Sequence, residues 1–153
     1  MDMSNELEIR QAVGEDAEAI RTLTREAYAK WVPLIGREPL PMSADYQQAL
    51  KKHRIDLLFF EGSLAALIET NSHDDYLLIQ NVAVSPFYQG KGLGSRLLHH
   101  AEHLAACLGY GEIKLYTNKL FAGNVSFYDR HGYHVEREEK FMGGVTVHMK
   151  KTI

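Results

Sequence analysis

The stretch "YLLIQNVAV", residues 76–84, is a nearly unbroken apolar run of strand length. A strand that is apolar along both edges of its pleat belongs where both faces are covered, in the middle of a sheet. Beyond it Leu93, Leu97, Leu98, Ala101, Leu104, Ala105 and Leu108 trace one helical stripe, with Gly109 suited to stop it. "EIKLYT", residues 112–117, then reads as another strand. Strand, long helix and strand in succession imply a crossover between parallel neighbours. The rest of the chain must be arranged around that unit.

On its N-terminal side "LEIRQAV" alternates like a half-buried strand, and residues 14–31 follow with helical spacing through Ala17, Ile20, Leu23, Ala27 and Trp31. Pro33, Pro39 and Pro41 crowd into "VPLIGREPLPM", which predicts a long ordered loop, and "SADYQQALKKH" restarts a short helix with Ser43 as N-cap. "DLLFFEGSLAALIET" reads as a hairpin turning at Glu61-Gly62. After the central unit, "GNVSFYDRHG" reads as a short helix ended by Gly132, and "YHVEREEKFMGGVTVHMKK" as a hairpin turning at Gly143-Gly144. The expectation is an α/β fold of one domain, residues 1–153, with a mixed sheet of about six or seven strands flanked by helices.

A length of 153 residues suits one core, and 45% hydrophobic with 24% charged residues is ordinary globular composition. A net charge of -3 gives no general attraction to nucleic acid or to an acidic membrane surface, so neither is an expected partner. The acidic N-terminus lacks the apolar core of a secretory signal and no run approaches membrane-spanning length, which predicts a cytoplasmic protein. The single Cys107 cannot form an internal disulfide and reads as helix packing. His99, His100 and His103 invite a metal reading, but the leucine stripe faces the core and these point away, so no metal is expected.

Between strand and helix lies "QGKGLG", residues 89–94. A helix opening there presents unpaired N–H groups and the positive end of its dipole, and glycines leave room for a phosphate. A Walker loop fails because Lys91 is followed by Gly92 where the motif requires Ser or Thr. A dinucleotide fingerprint fails because its third glycine arrives one place early, at Gly94. A third pattern, Q/R-x-x-G-x-G/A, is met in full.

With this motif after "NVAV", and with "LYTNKLFAGNVSFYDRHGY" downstream, the chain resembles the GNAT superfamily of acyl-CoA-dependent N-acyltransferases. The resemblance covers nearly the whole chain in element order. It implies a central sheet splayed at the cofactor site and acetyl-CoA as cosubstrate. The pyrophosphate would lie on the amides of Gly90, Lys91, Gly92, Leu93, Gly94 and Ser95, with the side chains of Gln89 and Lys91 beside it. The pantetheine arm would pair with Val82, Ala83 and Val84, and the polar Asn81 inside the apolar run is consistent with a bulge there. Asn118 and Asn124 would sit near the cofactor arm. Asn124 and Tyr128, at i and i+4, share a face if helical, and Tyr128 takes the family's place for a general acid toward the departing thiolate.

The implied acceptor is a primary amine, small-molecule or peptide, which must be neutral to attack. Gln80 stands where a carboxylate base is looked for, so Glu69 at the end of "ALIET" becomes the candidate. The proline-rich segment should flank the acceptor, offering Trp31, Arg37, Glu38 and Tyr46, with Gln80 on the strand beside them; Trp31 and Phe127 also read as core. Two rival functions remain open at this point, a non-catalytic acyl-CoA-binding or sensor module and a nucleotide-binding oxidoreductase. A homodimer is left open as well.

Overall fold

Strand β4 (Leu77–Val84) occupies the middle of a seven-stranded sheet with the order β1-β2-β3-β4-β5-β7-β6, as its apolar run requires. The other strands are β1 Leu7–Gln11, β2 Arg54–Phe60, β3 Ser63–Ser72, β5 Glu112–Asn118, β6 His134–Phe141 and β7 Gly144–Thr152. This is a computed structural model that describes residues 6–153. Residues 1–5 of the acidic N-terminus, and with them the expected domain start at residue 1, lie outside the described residues. β4 and β5 run parallel and every other neighbouring pair is antiparallel, which makes the mixed α/β sheet expected from the sequence.

Helices cover both faces. On one side α5 (Leu93–Cys107) packs Leu93, Leu97, Leu98 and Ala101 against Leu58, Ile68, Ile79 and Ile113. On the other, α1 (Ala17–Tyr28) packs Ile20 and Leu23 against Ile55, Leu57 and Leu67. Each such leucine or isoleucine side chain taken out of water contributes about 1.5–3 kcal/mol. The short helix α6 (Ala122–Arg130) follows β5. No helix among the described residues is long and apolar enough to cross a membrane.

The first hairpin turns at Glu61-Gly62, where φ of 51° and 84° give the twist that suits a two-residue connection. The last one turns one residue earlier than expected, at Met142-Gly143 with φ of 48° and 81°, and Gly144 already opens β7 opposite Phe141. β1 likewise ends at Gln11 instead of Val13.

The proline-rich segment is not a loop. It forms α2 (Val32–Ile35) and α3 (Leu40–Ser43), because Pro33 and Pro41 fall in first turns, where no N–H is needed. Gly36, at φ 74°, ends α2. Arg25 of α1 then holds this segment down, donating to Glu38 at 2.8 Å and to the Met42 carbonyl at 2.8 Å. The N-cap of α4 (Tyr46–Lys52) is Asp45, which accepts from the Gln47 and Gln48 amides; Ser43 belongs to the preceding helix.

Three readings of helix faces are also corrected. Cys107 is exposed at the end of α5 instead of packed. His100 does not point away from the sheet, since its Nε2 lies 3.1 Å from the buried Asp56 carboxylate of β2. Of the neighbours Phe127 and Tyr128, it is Tyr128 that joins the core, while Phe127 is half-buried and lies on Gly94.

Asp45→Ala should lower unfolding free energy by about 1 kcal/mol through loss of the cap, whereas Ser43→Ala should change it by less than about 0.5 kcal/mol. Urea midpoints of the two variants check the assignment.

Candidate active site

The site begins with one extra residue in β4. Across β3, Glu69 pairs with Asn81 but Thr70 pairs with Ile79, so Gln80 bulges out of register. Strict alternation would put residues 77, 79, 81 and 83 on one face. Instead Leu77 and Ile79 pack on the α5 side, and Ala83 packs on the α1 side. Gln80 and Asn81 both address the α1 side: Gln80 Nε2 donates to the Tyr116 hydroxyl at 2.6 Å, and Asn81 Oδ1 accepts from the Tyr28 hydroxyl at 2.6 Å.

At the same point β4 parts from β5. Their parallel pairing runs only from Leu77↔Ile113 to Ile79↔Leu115. Among the described residues, the β5 side of the strand beyond Ile79 therefore has no strand partner, although Val82 O accepts a long bond from Tyr28 at 3.3 Å. Two cavities open along the split. One, of about 320 Å³, is lined by Val82, Ala83, Val84, the 89–95 loop, Trp31 and Phe127. The other, of about 430 Å³, lies under α2, α3 and α4 and has Glu69, Gln80, Asn81 and Tyr116 along the sheet. Tyr28, Val82, Asn124 and Tyr128 line both.

In the first cavity Gly90 and Gly92 both adopt φ of 76°, a left-handed conformation that side-chain-bearing residues rarely take. Gly92 caps α5, whose first intrahelical bond runs from Arg96 N to Gly92 O, so the amides of Leu93, Gly94 and Ser95 have no acceptor within the helix. Gly94 is small for a packing reason, since a Cβ there would stand 3.1 Å from Phe127. Gln89 donates from Nε2 to the Val84 carbonyl at 3.2 Å and ties the loop to the strand end. Lys91 is turned outward, its Nζ 5.4 Å over the Phe60 ring, and does not line the cavity. Ser95 Oγ lies 2.8 Å from His131 Nε2, while His131 Nδ1 lies 2.8 Å from the Phe127 carbonyl.

The remaining sequence candidates divide differently from expectation. Trp31 is neither core nor on the larger cavity's wall: it stacks on Phe121 at 4.3 Å beside the smaller one. Asn118 lines the larger cavity and accepts from the Leu120 amide at 2.9 Å. Asn124 lies within the first turn of α6, which starts at Ala122, and borders both cavities. Arg37 and Tyr46 do line the larger cavity, with the Tyr46 hydroxyl donating to the Pro41 carbonyl at 2.6 Å. Glu38 is engaged by Arg25.

Few groups in the larger cavity can take up a proton. Burial pushes the phenols of Tyr46 and Tyr128 up to about 12, and those of Tyr28 and Tyr116 upward as well. Arg37 and Lys52 are cationic side chains. Asp45 is committed to its cap. What remains is Glu69, 5% exposed, with its Oε2 2.7 Å from His53 Nδ1. Glu69 lies inside β3, which continues to Ser72 beyond the expected end of the strand. His53 and Tyr28 carry no motif in the sequence and were not legible as site residues. Among the described residues, no group of three or more His, Cys, Asp or Glu side chains is placed to hold a metal ion.

A family model described as "Acetyltransferase (GNAT) family" matches residues 17–133. Among solved structures the chain is similar to the PaiA N-acetyltransferase of Thermoplasma acidophilum in complex with coenzyme A, with TM-score 0.82 at 23% identity over 97% of this chain and 99% of that one. It is similar too to the ribosomal-protein-S18-alanine N-acetyltransferase of Escherichia coli, with TM-score 0.79 at 20% identity over 97% and 94%. A third is a GNAT family acetyltransferase of Elizabethkingia anophelis with acetyl-CoA bound, with TM-score 0.71 at 15% identity over 96% and 98%. At these identities the likeness is one of fold. No curated protein matches the chain in sequence.

Removing the Tyr28 hydroxyl would leave the Asn81 amide, whose Nδ2 has no partner among the described residues, with neither end satisfied. Tyr28→Phe should therefore cost about 1–3 kcal/mol of stability, measured as a shift of the denaturant midpoint at unchanged slope.

Proposed function

The chain belongs to the acetyltransferase (GNAT) family, and from that premise we propose that residues 1–153 form one catalytic domain that moves the acetyl group of acetyl-CoA to a primary amine by direct attack in a ternary complex. The family match stops at residue 133, and β1, β6 and β7 outside or beyond it complete the same sheet. The observation that carries the reading is the pair of cavities sharing Tyr28, Val82, Asn124 and Tyr128. A donor in one and an acceptor in the other meet at Tyr128.

In this reading the pyrophosphate rests on the amides of residues 90–95, and Gln89 supports the loop. Lys91 contributes its backbone N–H, its charge lying on Phe60. The thioester arm runs along Val82, Ala83 and Val84, where β5 has parted from β4. Asn124 borders the arm at the junction, and Asn118 and Trp31 shape the walls. The fold neighbours from Thermoplasma and Elizabethkingia hold coenzyme A and acetyl-CoA, which supports this choice of cosubstrate. The amine enters the larger cavity, bounded by Arg37 and Tyr46, and reaches the thioester beside Gln80.

The carbonyl carbon gains the nitrogen and loses the sulfur. Tyr128 hydrogen-bonds the sulfur as charge develops there. Its phenol, raised to about 12 by burial, holds its proton more tightly than a thiol of ordinary pKa near 8.5. It therefore stabilises the thiolate without surrendering the proton, and the thiolate is protonated from solvent. Among described residues the Tyr128 hydroxyl has no side-chain partner to lose first. The amine proton leaves by way of the Glu69–His53 pair.

Tyr128→Phe should lower kcat by roughly 10²-fold or more while the Kd for acetyl-CoA moves less than about threefold. Thiol release from acetyl-CoA with a panel of primary amines gives the rate, and calorimetric titration gives the affinity. Unchanged turnover in this variant removes Tyr128 from the chemistry. A wild-type protein that binds a nicotinamide dinucleotide and not coenzyme A sinks the whole reading.

A further inference from the structure

We propose that the group that accepts the amine proton is His53 Nε2, and that Glu69 is a positioning residue that selects the tautomer; this rests on the acetyltransferase reading above. Among the described residues, these are the two side chains lining the larger cavity that combine proton-accepting chemistry with freedom from another structural task, once the tyrosines, the cations and Asp45 are set aside. Between the two, geometry decides. The Glu69 oxygen that faces the imidazole is 2.7 Å from Nδ1. A carboxylate oxygen accepts, so Nδ1 carries the hydrogen and the lone pair is left on Nε2.

The local fold places this pair. His53 ends α4, its backbone N–H bonding the Ala49 carbonyl, and the chain then enters β2 at Arg54. Its ring is thereby held over β3, where Glu69 stands opposite Asn81 at the bulge. Glu69 is 6% exposed in its side chain against 21% for His53. The imidazole is thus the more accessible partner, the one that substrate or a bridging water reaches. An imidazole titrates near neutrality, where it exchanges a proton with an amine and returns it to solvent within a turnover. The other charged and titratable groups on this cavity do not compete: burial raises the phenols of Tyr28, Tyr46, Tyr116 and Tyr128, Asp45 is committed to its cap, and Arg37 and Lys52 are cationic side chains.

The step balances. The ammonium form of the amine gives one proton to Nε2; the neutral nitrogen then bonds the carbonyl carbon as the carbon–sulfur bond breaks, its surplus proton leaves to water, and the departing thiolate takes a proton from water. His53 then discharges its proton to solvent. No oxidant, metal or second cofactor takes part.

The probes are acetyl-CoA with butylamine, benzylamine and alaninamide, followed by thiol release between pH 6 and 10. His53→Gln should lower kcat/KM at pH 7 by roughly 10²-fold. The deficit should shrink as pH approaches the pKa of each amine, since the free base then forms without help, and the acetyl-CoA Kd should stay within about twofold of wild type. Glu69→Gln keeps an oxygen for Nδ1–H and should lose less than His53→Gln. In wild-type protein with ¹⁵N-labelled histidine, the His53 signal should show Nδ1 protonated and Nε2 bare near neutral pH. A deficit that is constant across pH, a full-rate His53→Gln beside an inactive Glu69→Gln, or a proton on Nε2 each overturns the assignment. Failure of wild-type protein to bind acetyl-CoA overturns the reading underneath, and that failure is visible without any variant.

Discussion

The bulge at Gln80 is the constraint on which the site depends. β4 must satisfy β3 along its whole length and β5 along only its first residues. Without the inserted residue, Asn81 would stay in phase with Leu77 and Ile79 and face the leucines of α5. A buried amide in that setting has no partner and costs a few kcal/mol. Slipping the phase by one residue turns Asn81 toward Tyr28 and opposite Glu69, and sends Val82 and Val84 to the α5 side. The polar cluster and the split in the sheet therefore have a common origin.

The glycine loop works within a chain of net charge -3. Its side chains add little positive charge at the cavity, since Lys91 is drawn onto Phe60. Backbone amides supply the donors instead, and Gly90, Gly92 and Gly94 serve separate needs. The first two take left-handed φ, whereas the third makes room for Phe127. Gln89 fastens the loop to the end of β4, so the amides and the strand edge keep a fixed relation. A ligand that spans both meets a site whose two halves are already aligned, which spares the cost of ordering them on binding.

What could be read from the sequence follows from range. The β4 run, the α5 stripe and the Glu61-Gly62 turn are written in neighbouring residues, and so is the phosphate-sized loop. The prolines misled because their effect depends on position: Pro33 and Pro41 in first turns begin helices, while the same residues inside a helix break it. His100 misled because a helical wheel gives the direction of Cβ and not the reach of an imidazole, which here extends to Asp56. The larger cavity is the extreme case. Tyr28 and Asn81 are 53 residues apart and His53 and Glu69 are 16 apart, and no local period connects them. Glu69 could be named only as the nearest acid, and its partner not at all.

In the proposed reaction the two groups that handle protons, Tyr128 and His53, meet different surroundings on the same cavity. Tyr128 is placed where burial strengthens its hold on hydrogen, up to about 12, which suits a donor that must stay protonated while charge grows on sulfur. The same low-dielectric setting would prevent a carboxylate or imidazole from cycling its proton to water within a turnover. The proposed acceptor of the amine proton should then lie on the wetter side, and the partly exposed His53, steadied by the dry Glu69, meets that requirement. Both line the larger cavity at the split in the sheet, so under the proposed reaction one fold offers a dry donor and a wetter acceptor to the same bond exchange.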